Sequence, residues 1–173
     1  MRLLINYIGI LTILLMSCNN TNNQKFILRI DSLNMQLETA VEEYSIIDST
    51  TLANIRKDVS SNCNKIDYKV DSSFNKLIIP YSQINKSIKQ ILKMDFYIKT
   101  ELQKSRIQIN TLLHDADRSL IDTTLLMQYI EDEKKAVNIL IERMNFNHLR
   151  MMSETKRYDS LNPLIEEFIN KNN

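Results

Sequence analysis

The chain has 173 residues, with 22 basic against 21 acidic side chains and a formal net charge of +1. That balance supplies no broad basic field for nucleic acid, and the length suits one domain with a real core. The single glycine is Gly9, so everything downstream lacks the residue on which phosphate loops, dinucleotide fingerprints, nucleophile elbows and two-residue hairpins depend. This excludes most common enzyme scaffolds and favours helices; the expectation is an all-α, non-enzymatic protein without a cofactor.

In chain order, Arg2 supplies a positive start and Leu3 to Met16 form an apolar run broken only by Asn6, Gly9 and Thr12. A run of about 14 residues falls short of the ~20 needed to span a bilayer and matches the apolar region of an export signal. It ends in Leu15-Met16-Ser17-Cys18. An aliphatic residue three before a cysteine and a small one just before it resemble the lipobox of bacterial lipoproteins, although Met16 stands where a smaller residue is commoner. The resemblance implies cleavage before Cys18, diacylglycerol on its sulfur, and a membrane held through that lipid. It covers the leader alone and specifies export, not activity. A buried N-terminal helix or a permanent signal anchor is the alternative. Against it stands the polar stretch from Asn19 to Lys25, which reads as a flexible tether. The expected organisation is therefore residues 1–17 as signal peptide, 18–25 as lipidated cysteine and tether, and 26–173 as a helical bundle domain. Loss of residues 1–17 removes Arg2 and no acid, leaving 21 side chains of each sign.

Beyond the tether, apolar residues recur at alternating spacings of three and four, the helical period. Phe26, Ile30, Leu33, Leu37, Ala40, Tyr44 and Ile47 predict a helix over 26–47. Leu52, Ile55, Val59, Cys63, Ile66, Val70, Phe74 and Leu77 predict a second over 48–79. A third, over 81–118, carries Ile84, Ile88, Ile91, Ile98, Leu102, Ile109 and Leu112, with Asp95 and Ser105 as polar gaps. The fourth, over 122–171, carries Leu126, Ile130, Val137, Leu140, Met144, Met151, Tyr158, Leu161, Ile165 and Phe168. Ile130, Val137 and Met144 stand seven apart, the spacing of a coiled-coil seam, but Glu133, Asn147 and Glu154 fall on the alternate seam positions. A two-stranded zipper carries few such polar residues, so packing against two neighbours is expected. The fold class is an elongated antiparallel helical bundle of about four helices with coiled-coil-like packing.

Turn chemistry places the boundaries. Asp48 and Asp122 each stand after an isoleucine and four residues before a leucine, a capping aspartate flanked by a hydrophobic staple. Pro80 cannot donate to a helix ladder and predicts a break, although the apolar stripe crosses it and a kinked continuous helix is the alternative. Asn162-Pro163 poses the same choice between a capped last helix and a bent continuation.

Residues of catalytic type are few and scattered. His114 lies near the end of the third helix and His148 on a polar edge of the fourth; neither has the spacing of a zinc or di-iron site. Glu42-Glu43 and Glu131-Asp132-Glu133 read as solvated faces, with Glu131 set to pair with Lys135. With Cys18 lipidated, Cys63 has no intramolecular partner and reads as a small core residue, an intermolecular disulfide or a reactive thiol being the alternative. Met127, Met144, Phe146, Met151 and Met152 read as filling the core of the bundle, a groove for a peptide or partner helix being the alternative. Four tripeptides (Asp31-Ser32-Leu33, Asp48-Ser49-Thr50, Asp122-Thr123-Thr124, Asp159-Ser160-Leu161) resemble an O-glycosylation signal of Bacteroidota. Surface lipoproteins of that group often carry acids after the cysteine; their absence from Asn19 to Gln24 implies an anchor facing the periplasm, in the outer membrane. The expectation is a lipid-anchored binding or scaffold module with a protein partner or self-association and no nucleic acid; the alternative is an immunity or inhibitor lipoprotein that occupies a toxin or enzyme.

Overall fold

The structure is a computed structural model that describes the backbone of residues 2–44, 48–66 and 72–172, and the side chains of 23–44, 48–66 and 74–171. Its described residues form helices and their connections, with no strand: α1 (Arg2–Tyr44), α2 (Ser49–Asn64), α3 (Ser72–Asp117) and α4 (Thr123–Asn172). The fold is all-α. The backbone of α1 is already helical through residues 18–25, where an open tether was expected; no glycine or proline interrupts the chain between Ile10 and Tyr44. Ile47 and Val70 lie outside the described residues, as do the side chains of the leader and of Cys18.

Two packed units make up the chain. The first combines Met1–Thr39 with Leu102–Ile139, the second Ala40–Glu101 with Leu140–Asn173. In the first unit α1 meets the end of α3 and the start of α4. Ile30, Leu33, Leu37, Ile109, Leu112, Leu126, Ile130 and Val137 are all buried there. Arg106 on α3 holds Glu38 on α1 through its Nε at 2.7 Å, and Asn23 Nδ2 donates to Ser119 Oγ at 2.6 Å, so α1 and α3 run antiparallel. In the second unit α2, the first half of α3 and the second half of α4 enclose Leu52, Val59, Tyr81, Ile84, Ile88, Met144, Met151 and Ile165. Phe74 stacks on Phe168 with ring centroids 3.5 Å apart. Each unit thus packs three helical segments in cross-section rather than four. Burying an isoleucine of this kind stabilises by about 1.5–3 kcal/mol, which is why the apolar rhythm controls the architecture.

The caps form as the sequence predicts. Asp48 accepts from the Thr50 amide at 3.0 Å and Asp122 from the Thr124 amide at 2.8 Å. These amides hold both carboxyls below the usual aspartate range. Leu52 and Leu126, the staple leucines, are buried.

The boundary expected at Pro80 does not form, and the continuous helix, the alternative there, does. α2 ends at Asn64, its last turn tightened by bonds from the Lys65 amide to Asn62 and from the Ile66 amide to Cys63. α3 begins at Ser72 and passes through Pro80 without a break. Proline removes one ladder bond, while Phe74, Ile78, Tyr81, Ile84 and Ile88 keep one continuous buried stripe across it. That stripe shifts the inward position from Leu77, as predicted, to Ile78. α4 likewise runs through Pro163.

Candidate functional site

Polar side chains are built into the seam. Asn147 is fully buried; its Nδ2 donates to Tyr44 Oη at 2.8 Å and to the Ile91 carbonyl at 3.3 Å. Tyr44 Oη in turn donates to Asp95 at 3.0 Å, and Ser49 Oγ and Lys99 Nζ hold the other Asp95 oxygen. Two turns of α4 further on, Glu154 accepts from Ser87 at 2.9 Å and from Arg157 at 3.2 Å. Near the end of the second unit, Asn62 donates to Tyr81 Oη and to Asn162 Oδ1, which also accepts from Tyr81. Asn162 is therefore a bridge between helices rather than a cap. Cys63, predicted inward, is half-buried on the flank, and Asn62 takes the inward place. Burial pushes the Cys63 thiol pKa up, so it is a poor nucleophile.

The expected ionisable candidates do not converge. His114 is exposed beside Asp115 in the last turn of α3. His148 is half-buried, with a buried Nδ1 that has no partner among the described residues, and so is not the exposed residue predicted. Glu42, Glu43 and Glu131 are on the surface. Lys135 pairs with Asp132 at 3.1 Å instead of Glu131. Glu133, predicted to be solvated, is buried at 6% exposure; its Oε1 has no partner among the described residues, and burial raises its carboxyl pKa against the opposing bond from Ser105. Among the described residues no cluster of metal-ligating side chains is assembled, and no helix is long and apolar enough to cross a membrane. Of this methionine-rich set, Met144 and Met151 are core, whereas Met127, Met152 and the neighbouring Phe146 are exposed.

The arrangement best suited to a ligand is an open groove of 660 Å³ in the second unit, between antiparallel stretches of α3 and α4. Gln90, Lys93, Met94 and Tyr97 line one side, Arg143 and Arg150 the other. Arg143 donates to Tyr97 Oη at 2.6 Å and lies over its ring at 5.1 Å. Arg150 donates to Gln90 Oε1 at 3.1 Å and lies 5.8 Å from the centre of the Phe146 ring. Both guanidinium groups are thus oriented by neutral partners. Arg106 and Arg157, by contrast, are each tied to a glutamate. No carboxylate lines the groove, so its positive charge is left available to a ligand.

This groove cannot be assembled from the sequence pattern of one helix alone. Arg143 and Arg150 are one heptad apart with Phe146 between them, which marks a basic, aromatic face on α4. What hid it was the need for Gln90, Met94 and Tyr97 from a helix some fifty residues earlier.

Comparison of the chain with protein-family models, curated proteins and solved structures finds no match.

Proposed function

We propose that the protein is a lipoprotein of the bacterial envelope, anchored through Cys18, whose helical domain is a non-enzymatic binding module for another protein. The anchor reading is supported by the apolar leader and by Leu15-Met16-Ser17-Cys18. With two or more acyl chains on Cys18, anchoring is stable. Residues 18–25 then connect the membrane to the domain, and the absence of acids among them favours the periplasmic face of the outer membrane. The binding reading is carried by one observation: two arginines in an open groove held by neutral partners and free of carboxylates. Fixed, unneutralised charge on a rigid helix pair suits recognition, because little side-chain freedom is lost when a partner arrives.

Fractionation and crosslinking test the two halves. The wild-type chain should sediment with membranes, whereas Cys18→Ala should remain uncleaved or appear without lipid. Crosslinking in intact envelopes should recover one defined protein neighbour. Failure to recover any, with full function kept after deletion of residues 26–173, overturns the module reading.

A further inference from the structure

We infer that the α3–α4 groove receives an acidic amphipathic helix of a partner protein, so that in this stretch the partner supplies an additional helix to the bundle. The inference rests on the binding-module reading and deepens it. Three observations combine. First, Arg143 and Arg150 stand seven residues apart on α4, roughly 10 Å along the axis at 1.5 Å per residue. Two carboxylates one heptad apart on a docking helix match that interval, whereas a single phosphate or carboxylate reaches one guanidinium only. Second, the space beside and between the cations is lined by Met94 and Tyr97, and Phe146, which is 60% exposed, lies under Arg150. An apolar residue three or four positions from each partner carboxylate falls on this surface. Third, Lys93 adds a third positive charge on α3, while the carboxylates elsewhere in this seam are already occupied: Asp95 by Lys99, Tyr44 and Ser49, and Glu154 by Arg157 and Ser87. The groove is therefore complementary to negative charge along its length and to apolar side chains at its centre.

The test uses the full lipidated chain in detergent micelles. The probe is a fluorescent synthetic helix with two glutamates seven apart and leucines between them; a second probe carries glutamines in their place. Fluorescence anisotropy should show saturable binding of the acidic probe that weakens with salt, and roughly tenfold or greater loss of affinity in the Arg143→Gln, Arg150→Gln double variant. Lys171→Gln, a surface change in an existing ion pair, should leave binding unchanged. Equal binding of both probes, or no effect of the double variant, overturns the inference. So does preferential binding of anionic phospholipid vesicles that the double variant abolishes, which would assign the groove to headgroups. A photo-crosslinking residue at Met94 should capture an acidic helical segment in the native envelope. Capture from a second site at exposed Leu28 but none from Met94 overturns the groove while leaving the binding module standing; capture from neither removes both.

Discussion

Ser119 has a backbone φ of 53°, the left-handed conformation that usually calls for glycine. It closes α3: the Leu120 amide reaches the Asp115 carbonyl at 3.0 Å and the Ser119 amide that of Ala116 at 3.4 Å. A chain without glycine beyond residue 9 must fill this position with a residue that strains there. The cost is about 1 kcal/mol, offset in part by the exposed bond from Asn23. Ser119→Gly should raise the urea midpoint, equivalent to a gain of roughly 0.5–1 kcal/mol. Glu133 gives the second residue-scale prediction. Its folded-state pKa is raised, so the proton is held more tightly in the folded than in the unfolded chain. The contribution of this group to stability is therefore fully present below the ordinary glutamate range and is lost as pH rises through the folded pKa, where the buried carboxyl must ionise. Glu133→Gln should melt with the wild type at acid pH and above it at pH 7, by on the order of 1 kcal/mol; parallel thermal melts across pH measure the difference.

At the scale of elements, the seam of α4 carries both apolar and polar layers. Asn147 and Glu154 fall where a simple zipper has leucine, and each finds partners on neighbouring helices of its unit. Such layers fix register more than they add stability. Asn147→Ala should cost about 2–3 kcal/mol in chemical denaturation, because it opens a cavity and strips Tyr44 of its donor. Asn147→Leu should hold or raise the denaturation midpoint yet broaden amide resonances along α3 and α4, as the pairing becomes less unique. A sharp spectrum from Asn147→Leu would show that the polar layer is not what sets the register. Much of this was legible in advance. Helical periodicity located the cores of all four helices, and the two aspartates located two starts. The end of α2 was not legible, because no glycine or proline marks it and the apolar pattern runs on past Ile66. Pro80 left two readings open for the opposite reason: a local rule predicted a break, the apolar stripe across it predicted continuity, and the buried face around Tyr81 decided for the stripe.

At the scale of the whole molecule, the proposed function draws on a leader readable in the sequence and on a surface readable only once helices are paired. The packed interior accounts for Glu154, Asn62 and Tyr81 as structural bridges. Arg143 and Arg150 stand apart because their hydrogen-bonding partners leave their charge unneutralised. The proposed function requires that the helical domain be delivered to a membrane and held there by Cys18. Intact-mass spectrometry of the protein extracted from native membranes tests this most directly. A chain beginning at residue 18 and bearing diacylglycerol, with or without a further acyl group, is the predicted result. A chain retaining residues 1–17, with the Cys18 thiol unmodified, would contradict it.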